Sequence, residues 1–249
     1  MTPYYDDGTC TIYHADALDV LRATELAIDA VVTDPPYASG SRKEGGRAAS
    51  GSMLRGEHIA NARLSAPIDL DQMTTTGFVW TMREVALAAY DSLIDGGSFL
   101  SFIDWRQWPQ LVGALESCNL RVQTMIVWDK GAMGLGNGFR NQHELVCHAS
   151  KGVPIVHNKS TGNVLASKRD RPDDIGHPSP KPVGLMARLI EVACPPGGLV
   201  VDPFMGSGST LLAARSVGRR CIGIEKSVDY CQIAVKRLEQ GVLDFGPSA

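Results

Sequence analysis

The stretch "LVVDPFMGSGSTLLAARSVGRRCIGIE", residues 199–225, decides the fold of this chain. An apolar run ends at Asp202, a short turn with two glycines follows, and a helix-forming segment leads to a second apolar run that ends at Glu225. Glycines in such a turn let the backbone approach a ligand at the helix N-terminus, and an acid after the second strand can hold ribose hydroxyls. The unit predicts a nucleoside-binding crossover. The alternative is a tight turn followed by a surface glutamate, because two glycines alone are a weak signal.

Short apolar strands alternate with helical segments through most of the chain. This alternation predicts an α/β fold, with a doubly wound, mostly parallel sheet that is covered by helices on both faces. An apolar stripe that stops at Gly96-Gly97 predicts a helix that begins near Met82. The segment at 209–217 predicts a helix that begins at a Ser/Thr cap. The strand at 143–149 is expected to pair with its predecessor at 121–128.

Length and composition exclude several classes of protein. A chain of 249 residues with 44% hydrophobic and 20% charged residues suits one large globular domain, which we place at 1–249. The net charge of −3 neither indicates nor excludes a nucleic-acid partner, because binding needs a local basic face. The N-terminus does not resemble a secretory signal, and no apolar stretch approaches the roughly 20 residues of a membrane helix. We therefore expect no membrane partner.

Six cysteines stand at positions 10, 118, 147, 194, 221 and 231. None forms a Cys-x-x-Cys pair, and none has a histidine at zinc-finger spacing. The expectation is reduced thiols in a cytoplasmic protein, with no metal site.

A second unusual stretch is "VVTDPPY", residues 31–37, where an apolar strand ends in a carboxylate, two prolines and an aromatic ring. Proline lacks an N–H, fixes its own φ and restricts the residue before it. The corner is therefore stiff and presents acceptors, namely the Asp34 carboxylate and the Pro35 carbonyl, beside the Tyr37 ring. Such a corner suits a flat molecule that carries an NH₂ group, which donates to the acceptors while the ring stacks on it. The alternative is a rigid exit from the strand.

Together these residues resemble the amino-group DNA methyltransferases that use S-adenosylmethionine. "TDPPY" at 33–37 matches the catalytic tetrapeptide of that family, and "DPFMGSGST" at 202–210 matches its methionine-binding loop. "HPSPKP" at 177–182 matches the segment before the cofactor helix, and "GIE" at 223–225 matches the ribose-binding acid. The catalytic motif comes first and the cofactor loop last, as in the β-type arrangement of the family. The resemblance implies a Rossmann-like methyltransferase fold with inserted loops that read the target.

The resemblance also implies roles for individual residues. The catalytic residues would be Asp34, Pro35, Pro36 and Tyr37. The cofactor-binding residues would be Asp16, Lys181, Asp202, Phe204, Gly206, Ser207, Gly208 and Glu225. In this assignment Glu225 holds the ribose, Lys181 reaches the methionine carboxylate, and Asp16 either contacts the cofactor or caps a helix.

Two polar, irregular segments, 38–76 and 151–176, are where such enzymes carry elements that recognise the target. Their basic side chains could neutralise phosphates, or they could lie on a solvated surface. The DNA-binding candidates are Arg42, Lys43, Arg47, Lys168 and Arg169. The expected partners are double-stranded DNA, a second copy of the chain in a homodimer, and a cognate restriction endonuclease.

The predicted reaction is methyl transfer to adenine N6 in DNA, because Asp34 in the tetrapeptide favours adenine. Cytosine N4 is the alternative, since the enzymes that act there usually carry serine at this position. A nucleotide-binding dehydrogenase is less consistent, because the loop lacks the third glycine of the dinucleotide fingerprint and the Asp-Pro-Pro-Tyr corner would have no role. A non-catalytic DNA-binding module is disfavoured by the intact Asp34 and Glu225.

Overall fold

The computed structural model describes residues 1–37, 73–134, 137–168 and 180–243. Within these ranges nine strands form one sheet. The strands are β1 (Tyr5–Asp6), β2 (Cys10–His14), β3 (Ile28–Thr33), β4 (Leu93–Ile103), β5 (Leu120–Asp129), β6 (His143–Lys151), β7 (Val164–Ala166), β8 (Leu199–Asp202) and β9 (Arg220–Glu225). The helices are α1 (Ala17–Ala23), α2 (Thr75–Ser92), α3 (Trp108–Glu116), α4 (Val183–Ala193), α5 (Ser209–Ser216) and α6 (Val228–Leu243).

The sheet has the strand order β1-β2-β9-β8-β3-β4-β6-β5-β7 and is mostly parallel. The five strands β2, β9, β8, β3 and β4 all run in the same direction. Strand β6 runs antiparallel to both of its neighbours, β4 and β5. The predicted doubly wound α/β class is therefore confirmed, and so is the pairing of β6 with its predecessor β5.

Helices cover both faces of the sheet, and strand β3 shows how the sequence divides the core. Val31 packs into a cluster that contains residues of α1, α2 and α3. Its neighbours Ala30 and Val32 belong to the opposite cluster, which contains residues of α4, α5 and α6. Successive side chains of a strand point to opposite faces, so a run of apolar residues is what a strand buried on both faces requires.

The order of the strands places a crevice at one edge of the sheet. From β3 the chain crosses through α2 to β4, whereas from β8 it crosses through α5 to β9, on the other side of the β3–β8 pair. The two connections leave in opposite directions, which makes the carboxyl ends of β3 and β8 a topological switch point. Ligands bind in this position in open α/β sheets.

Two helix boundaries differ from the sequence predictions. Helix α2 begins at Thr75, earlier than Met82, and Leu93 already belongs to β4, where it pairs with Ile28. The Gly96-Gly97 pair therefore lies inside the strand and does not end the helix. Strand pairing decided this boundary, which the helical stripe could not reveal.

The predicted Ser/Thr cap of α5 is also wrong, because the N-cap is Gly208, with φ 82° and no side-chain capping bond. Arg237 Nη1 lies 3.3 Å from the hydroxyl of Ser209, the first helical residue, and 3.0 Å from the hydroxyl of Ser207. These serines contact a buried arginine instead of capping the helix.

All six cysteines are free thiols, as predicted, and all of them are buried. Of the described helices, not one combines the length and apolar character that crossing a membrane needs.

Candidate active site

A cavity of about 500 Å³ opens where β3 and β8 end. Both predicted constellations line it, so the acceptor corner and the glycine turn share one cleft. The predicted residues on its wall are Asp16, Asp34, Pro35, Pro36, Tyr37, Lys181, Asp202, Phe204, Gly206, Ser207 and Glu225. Its volume lies in the range of roughly 300–1,000 Å³ that is common for cofactor and ligand sites.

Asp202 is the buried anchor of this cleft. Thr33 Oγ1 donates a hydrogen bond of 2.7 Å to Oδ1, Thr210 Oγ1 donates one of 2.5 Å to Oδ2, and the Phe204 amide donates one of 3.0 Å to Oδ1. Burial raises the pKa of Asp202 to about 6, although these three hydrogen bonds partly oppose the shift. The bond from Thr33 ties the end of β3 to the end of β8.

Glu225 holds the glycine turn from the neighbouring strand β9. Its Oε2 accepts a hydrogen bond of 3.0 Å from the Gly206 amide, and its Oε1 accepts one of 2.8 Å from the Ser227 amide. Gly208 is not among the lining residues, but a Cβ at this position would lie 2.9 Å from Ala234 Cβ. Its left-handed φ and this close approach both require glycine.

Asp16 has one of the two roles that the sequence left open, the helix cap, and it also lines the cavity, while its contact with the cofactor stays a prediction. Its Oδ1 accepts a hydrogen bond of 2.8 Å from the Leu18 amide, so it is the N-cap of α1. Its Oδ2 lies 2.6 Å from Lys226 Nζ, and both side chains line the cavity. Burial alone would raise the pKa of Asp16, but Lys226 and the Leu18 amide lower it overall.

The carboxylate of Asp34 has two donors in the cleft. Lys181 Nζ lies 2.5 Å from Oδ2, and the Tyr37 hydroxyl donates a hydrogen bond to Oδ1. Burial raises the pKa of Tyr37 well above its usual range, and the charges of Asp34 and Glu144 add to this. Tyr37 therefore stays a neutral phenol that donates, and it cannot serve as a base at neutral pH.

Lys181 also lies beside a second carboxylate. Its Nζ is 3.3 Å from Glu144 Oε2, while Glu144 Oε1 lies 2.5 Å from Lys130 Nζ. Burial alone would lower the pKa of Lys181, but Asp34 and Glu144 raise it, so Lys181 stays protonated. Burial would likewise raise the pKa of Glu144, but Lys181 and Lys130 lower it, so Glu144 stays ionised.

The sequence did not assign Glu144 or Lys130 to the site. Glu144 is the second residue of strand β6, whose antiparallel direction brings its first residues to the edge where β3 ends. Reversal of a strand leaves little signal in an apolar pattern, so this contact could not be predicted. The predicted contact of Lys181 with a methionine carboxylate stays a prediction, because its ammonium group lies at the Asp34 side of the cleft.

The predicted DNA contacts are only partly within the described residues. Lys168 is exposed and follows β7, which runs parallel to β5 at the outer edge of the sheet. Trp128, in the adjacent strand β5, is a core residue, because it is 2% exposed and its indole donates to the Ser167 carbonyl at 2.7 Å. The other candidates lie outside the described residues, and they are Arg42, Lys43, Arg47 and Arg169.

Comparison with known proteins agrees with this geometry. The N6/N4 methyltransferase model, described as DNA methylase, matches residues 28–236. The chain is 29% identical to YubD of Escherichia coli (strain K12), over 85% of the chain and 82% of that protein. It is 26% identical to the type II methyltransferase M2.DpnII of Streptococcus pneumoniae, over 95% and 92% of the two chains. The crystal structure of the M1.HpyAVI–SAM complex is similar, with a TM-score of 0.68, 25% identity, and 92% and 98% of the chains covered.

Proposed function

The chain belongs to the N6/N4 DNA methylase family, and we propose that it transfers the methyl group of S-adenosylmethionine to the N6 amino group of adenine in DNA. Membership of the family makes it an S-adenosylmethionine-dependent DNA methyltransferase that acts on an exocyclic amino group. The observation that carries the proposal is the shared cavity, in which the corner at 34–37 lines the same space as the turn at 202–207.

The residues of the turn suit the cofactor. Each carboxylate oxygen of Glu225 accepts one hydrogen bond from a backbone amide. Each oxygen keeps a further lone pair that can accept a hydrogen bond from a ribose hydroxyl. Asp202 places a carboxyl in the wall, which favours a cationic ligand when it is ionised. Phe204 and Met186 supply apolar surface. When bound, S-adenosylmethionine supplies a methyl group that is already electrophilic, because it is attached to a sulfonium.

The acceptor corner at 34–37 is proposed to activate the exocyclic amine, which is the more difficult part of the reaction. An exocyclic amine delocalises its lone pair into the base and is a poor nucleophile. Hydrogen bonds from its NH₂ group to Asp34 and to the Pro35 carbonyl favour a pyramidal nitrogen with an available lone pair. Positive charge grows on this nitrogen during transfer, and acceptors that are already held in place stabilise it. Lys181 and Tyr37 both donate hydrogen bonds to the Asp34 carboxylate, and these bonds fix its orientation.

The target base must leave the helix to reach this cavity. Base flipping costs a few kcal/mol of unstacking, and the half-buried ring of Tyr37 would offset part of that by stacking on the base. Lys168 and the basic candidates in the segments 38–76 and 151–176 are proposed to contact DNA phosphates. Phosphate contacts fix the position of the protein on the duplex but do not read its sequence.

Adenine is preferred over cytosine because the tetrapeptide begins with Asp34. Cytosine N4 is the second candidate, since the matching family model covers both reactions. The test is incubation of the purified chain with tritiated S-adenosylmethionine and unmethylated DNA, followed by digestion to nucleosides. Label in N6-methyladenine supports the proposal, label in N4-methylcytosine supports the alternative, and unlabelled DNA contradicts both.

Two partners are part of the proposal. One is a second copy of the chain, which the β-type order of the motifs, with the catalytic corner before the cofactor loop, favours. Sedimentation of the DNA complex tests this, and a strictly monomeric complex would contradict it. The other is a cognate restriction endonuclease in the cytoplasm, which the likeness to a protein named as a type II methyltransferase favours.

A further inference from the structure

Lys181 lies between two carboxylates that come from different strands. Its Nζ is 2.5 Å from Asp34 Oδ2, just beyond the end of β3, and 3.3 Å from Glu144 Oε2, at the start of β6. The ammonium group is largely buried, with 12% of the side chain exposed. A buried ammonium group is stable when carboxylates surround it, so it stays in this cluster.

The pairing with Asp34 competes with the proposed chemistry. Each oxygen of Asp34 already accepts one hydrogen bond, from Lys181 or from Tyr37. Each oxygen keeps a further lone pair, but the adjacent ammonium group weakens the carboxylate as an acceptor. An ammonium group beside Asp34 also opposes the positive charge that would grow on the target nitrogen. Turnover therefore needs a way to weaken this contact without placing an unpaired charge in a buried site.

Glu144 supplies the alternative partner. Within the part of the chain that the structure describes, its Oε2 is a buried atom that accepts no hydrogen bond. Lys181 Nζ lies at ion-pair distance from it but outside hydrogen-bond geometry. The long contact of 3.3 Å leaves Glu144 Oε2 poorly satisfied compared with Asp34 Oδ2 at 2.5 Å, so Glu144 gains when the ammonium group turns toward it.

The parts of this cluster differ in mobility. Glu144 is held on a strand, where it faces Trp128 in the β5–β6 ladder, and its other oxygen is paired with Lys130 at 2.5 Å. Lys181 carries its charge on a flexible four-carbon chain. The Lys181 side chain is therefore the group that can move, and the Glu144 carboxylate is an acceptor that stays in place.

We propose that Lys181 exchanges its hydrogen bond between Asp34 and Glu144, which frees Asp34 for the amino group of the target base. Lys181 and Glu144 are then positioning residues, and the ammonium group stays in the cluster, in place of the contact with the methionine carboxylate that the sequence predicted. This inference rests on the proposed function only in taking Asp34 as the acceptor of the amine.

The test uses the full chain and the single-turnover rate of methyl transfer at saturating DNA and S-adenosylmethionine. Glu144→Gln keeps the shape and removes the charge that draws Lys181 away, so the rate should fall roughly tenfold to a hundredfold. Cofactor affinity by calorimetry should stay within about threefold. The matched control is Glu84→Gln, because Glu84 is also an ion-paired glutamate, with 20% of its side chain exposed against 21% for Glu144. The control should keep the wild-type rate.

A double-mutant cycle separates exchange from a purely structural role. If Glu144 acts through Lys181, then Glu144→Gln costs little further rate in a Lys181→Met background. Equal losses in both backgrounds would overturn the proposal, as would a Glu144→Gln variant that behaves like the control. If Glu144→Gln does not fold, Glu144→Asp takes its place, since it keeps the charge but withdraws it from Lys181 by one methylene. A smaller loss of rate that disappears in the Lys181→Met background then supports the proposal, and an equal loss in both backgrounds overturns it. A wild-type chain that transfers no methyl group would instead contradict the proposed function.

Discussion

Thr33 and Asp202 join the two halves of the site, because the Thr33 hydroxyl donates a hydrogen bond of 2.7 Å to the Asp202 carboxylate. Thr33 is the last residue of β3 and Asp202 the last of β8, and both are buried. This bond sets the distance between the acceptor corner that begins at Asp34 and the glycine turn that follows Asp202. The geometry of methyl transfer depends on that distance.

Thr33→Val is expected to destabilise the protein by about 1–3 kcal/mol, because a buried carboxylate loses a donor while the volume of the side chain is kept. Urea unfolding measures the change. The control is Thr11→Val, since Thr11 Oγ1 makes a long, exposed contact of 3.4 Å with Asp6. That variant should stay within about 0.5 kcal/mol of wild type. Equal stability of the two variants would show that the bond between β3 and β8 contributes nothing.

The raised pKa of Asp202, about 6, predicts a pH dependence of stability. In the folded state the carboxyl holds its proton more tightly than in the unfolded chain, so its contribution to stability is present at low pH and lost as pH rises through about 6. Relative to Asp202→Asn, which does not titrate, wild type should gain about 1–1.5 kcal/mol between about pH 7.5 and about pH 5. Urea unfolding of both proteins at the two pH values measures this difference. If the stability difference between wild type and Asp202→Asn did not change with pH, the raised pKa of the buried Asp202 carboxyl would be contradicted.

Glu225→Gln should weaken S-adenosylmethionine binding roughly tenfold to a hundredfold, because the charged acceptor is lost and an amide group then faces the Gly206 or Ser227 N–H. The rate at saturating cofactor should change little, since Glu225 is assigned to binding. Calorimetry measures the affinity for S-adenosylmethionine, and single-turnover kinetics measures the rate of methyl transfer. The control is Glu239→Gln, on the exposed side of α6. If Glu225→Gln bound S-adenosylmethionine with normal affinity but transferred the methyl group more slowly, Glu225 would have a role in catalysis and not in binding.

Tyr37 offers a test of stacking that is separate from hydrogen bonding. Tyr37→Phe keeps the ring, so DNA affinity should be close to wild type, whereas Tyr37→Ala should weaken it by about 1–3 kcal/mol. The affinity is measured by fluorescence anisotropy with DNA that the wild type methylates and with a non-reactive cofactor analogue. Equal affinity of the two variants would exclude a stacking role.

Much of the site followed from local patterns. The acid and glycines around Asp202 and the stiff corner at Asp34 are each encoded within a few residues, and the alternation of strands and helices placed both at the carboxyl ends of parallel strands. Because ligands bind at those ends, the sequence alone was enough to expect both motifs in one cleft.

Other features depended on contacts that are distant in sequence. Glu144 reaches Lys181 because β6 runs antiparallel, and Leu93 became a strand residue because it pairs with Ile28. An apolar run predicts neither the direction of a strand nor the strand with which it pairs. The contact between Lys181 and Asp34 joins residues 147 positions apart, so motif spacing could place both in the site but not against each other.

The most direct test of the central claim is the single-turnover rate of tritiated methyl transfer to DNA by the Asp34→Ala variant, with cofactor affinity measured on the same preparation. The account predicts a loss of about 10²–10³-fold or more in rate, because the acceptor held beside the amine is lost, with S-adenosylmethionine affinity within about threefold of wild type. A variant that methylates DNA at the wild-type rate would contradict the account. So would a loss of cofactor binding that accounts for the whole defect, since Asp34 would then belong to the cofactor half of the cleft.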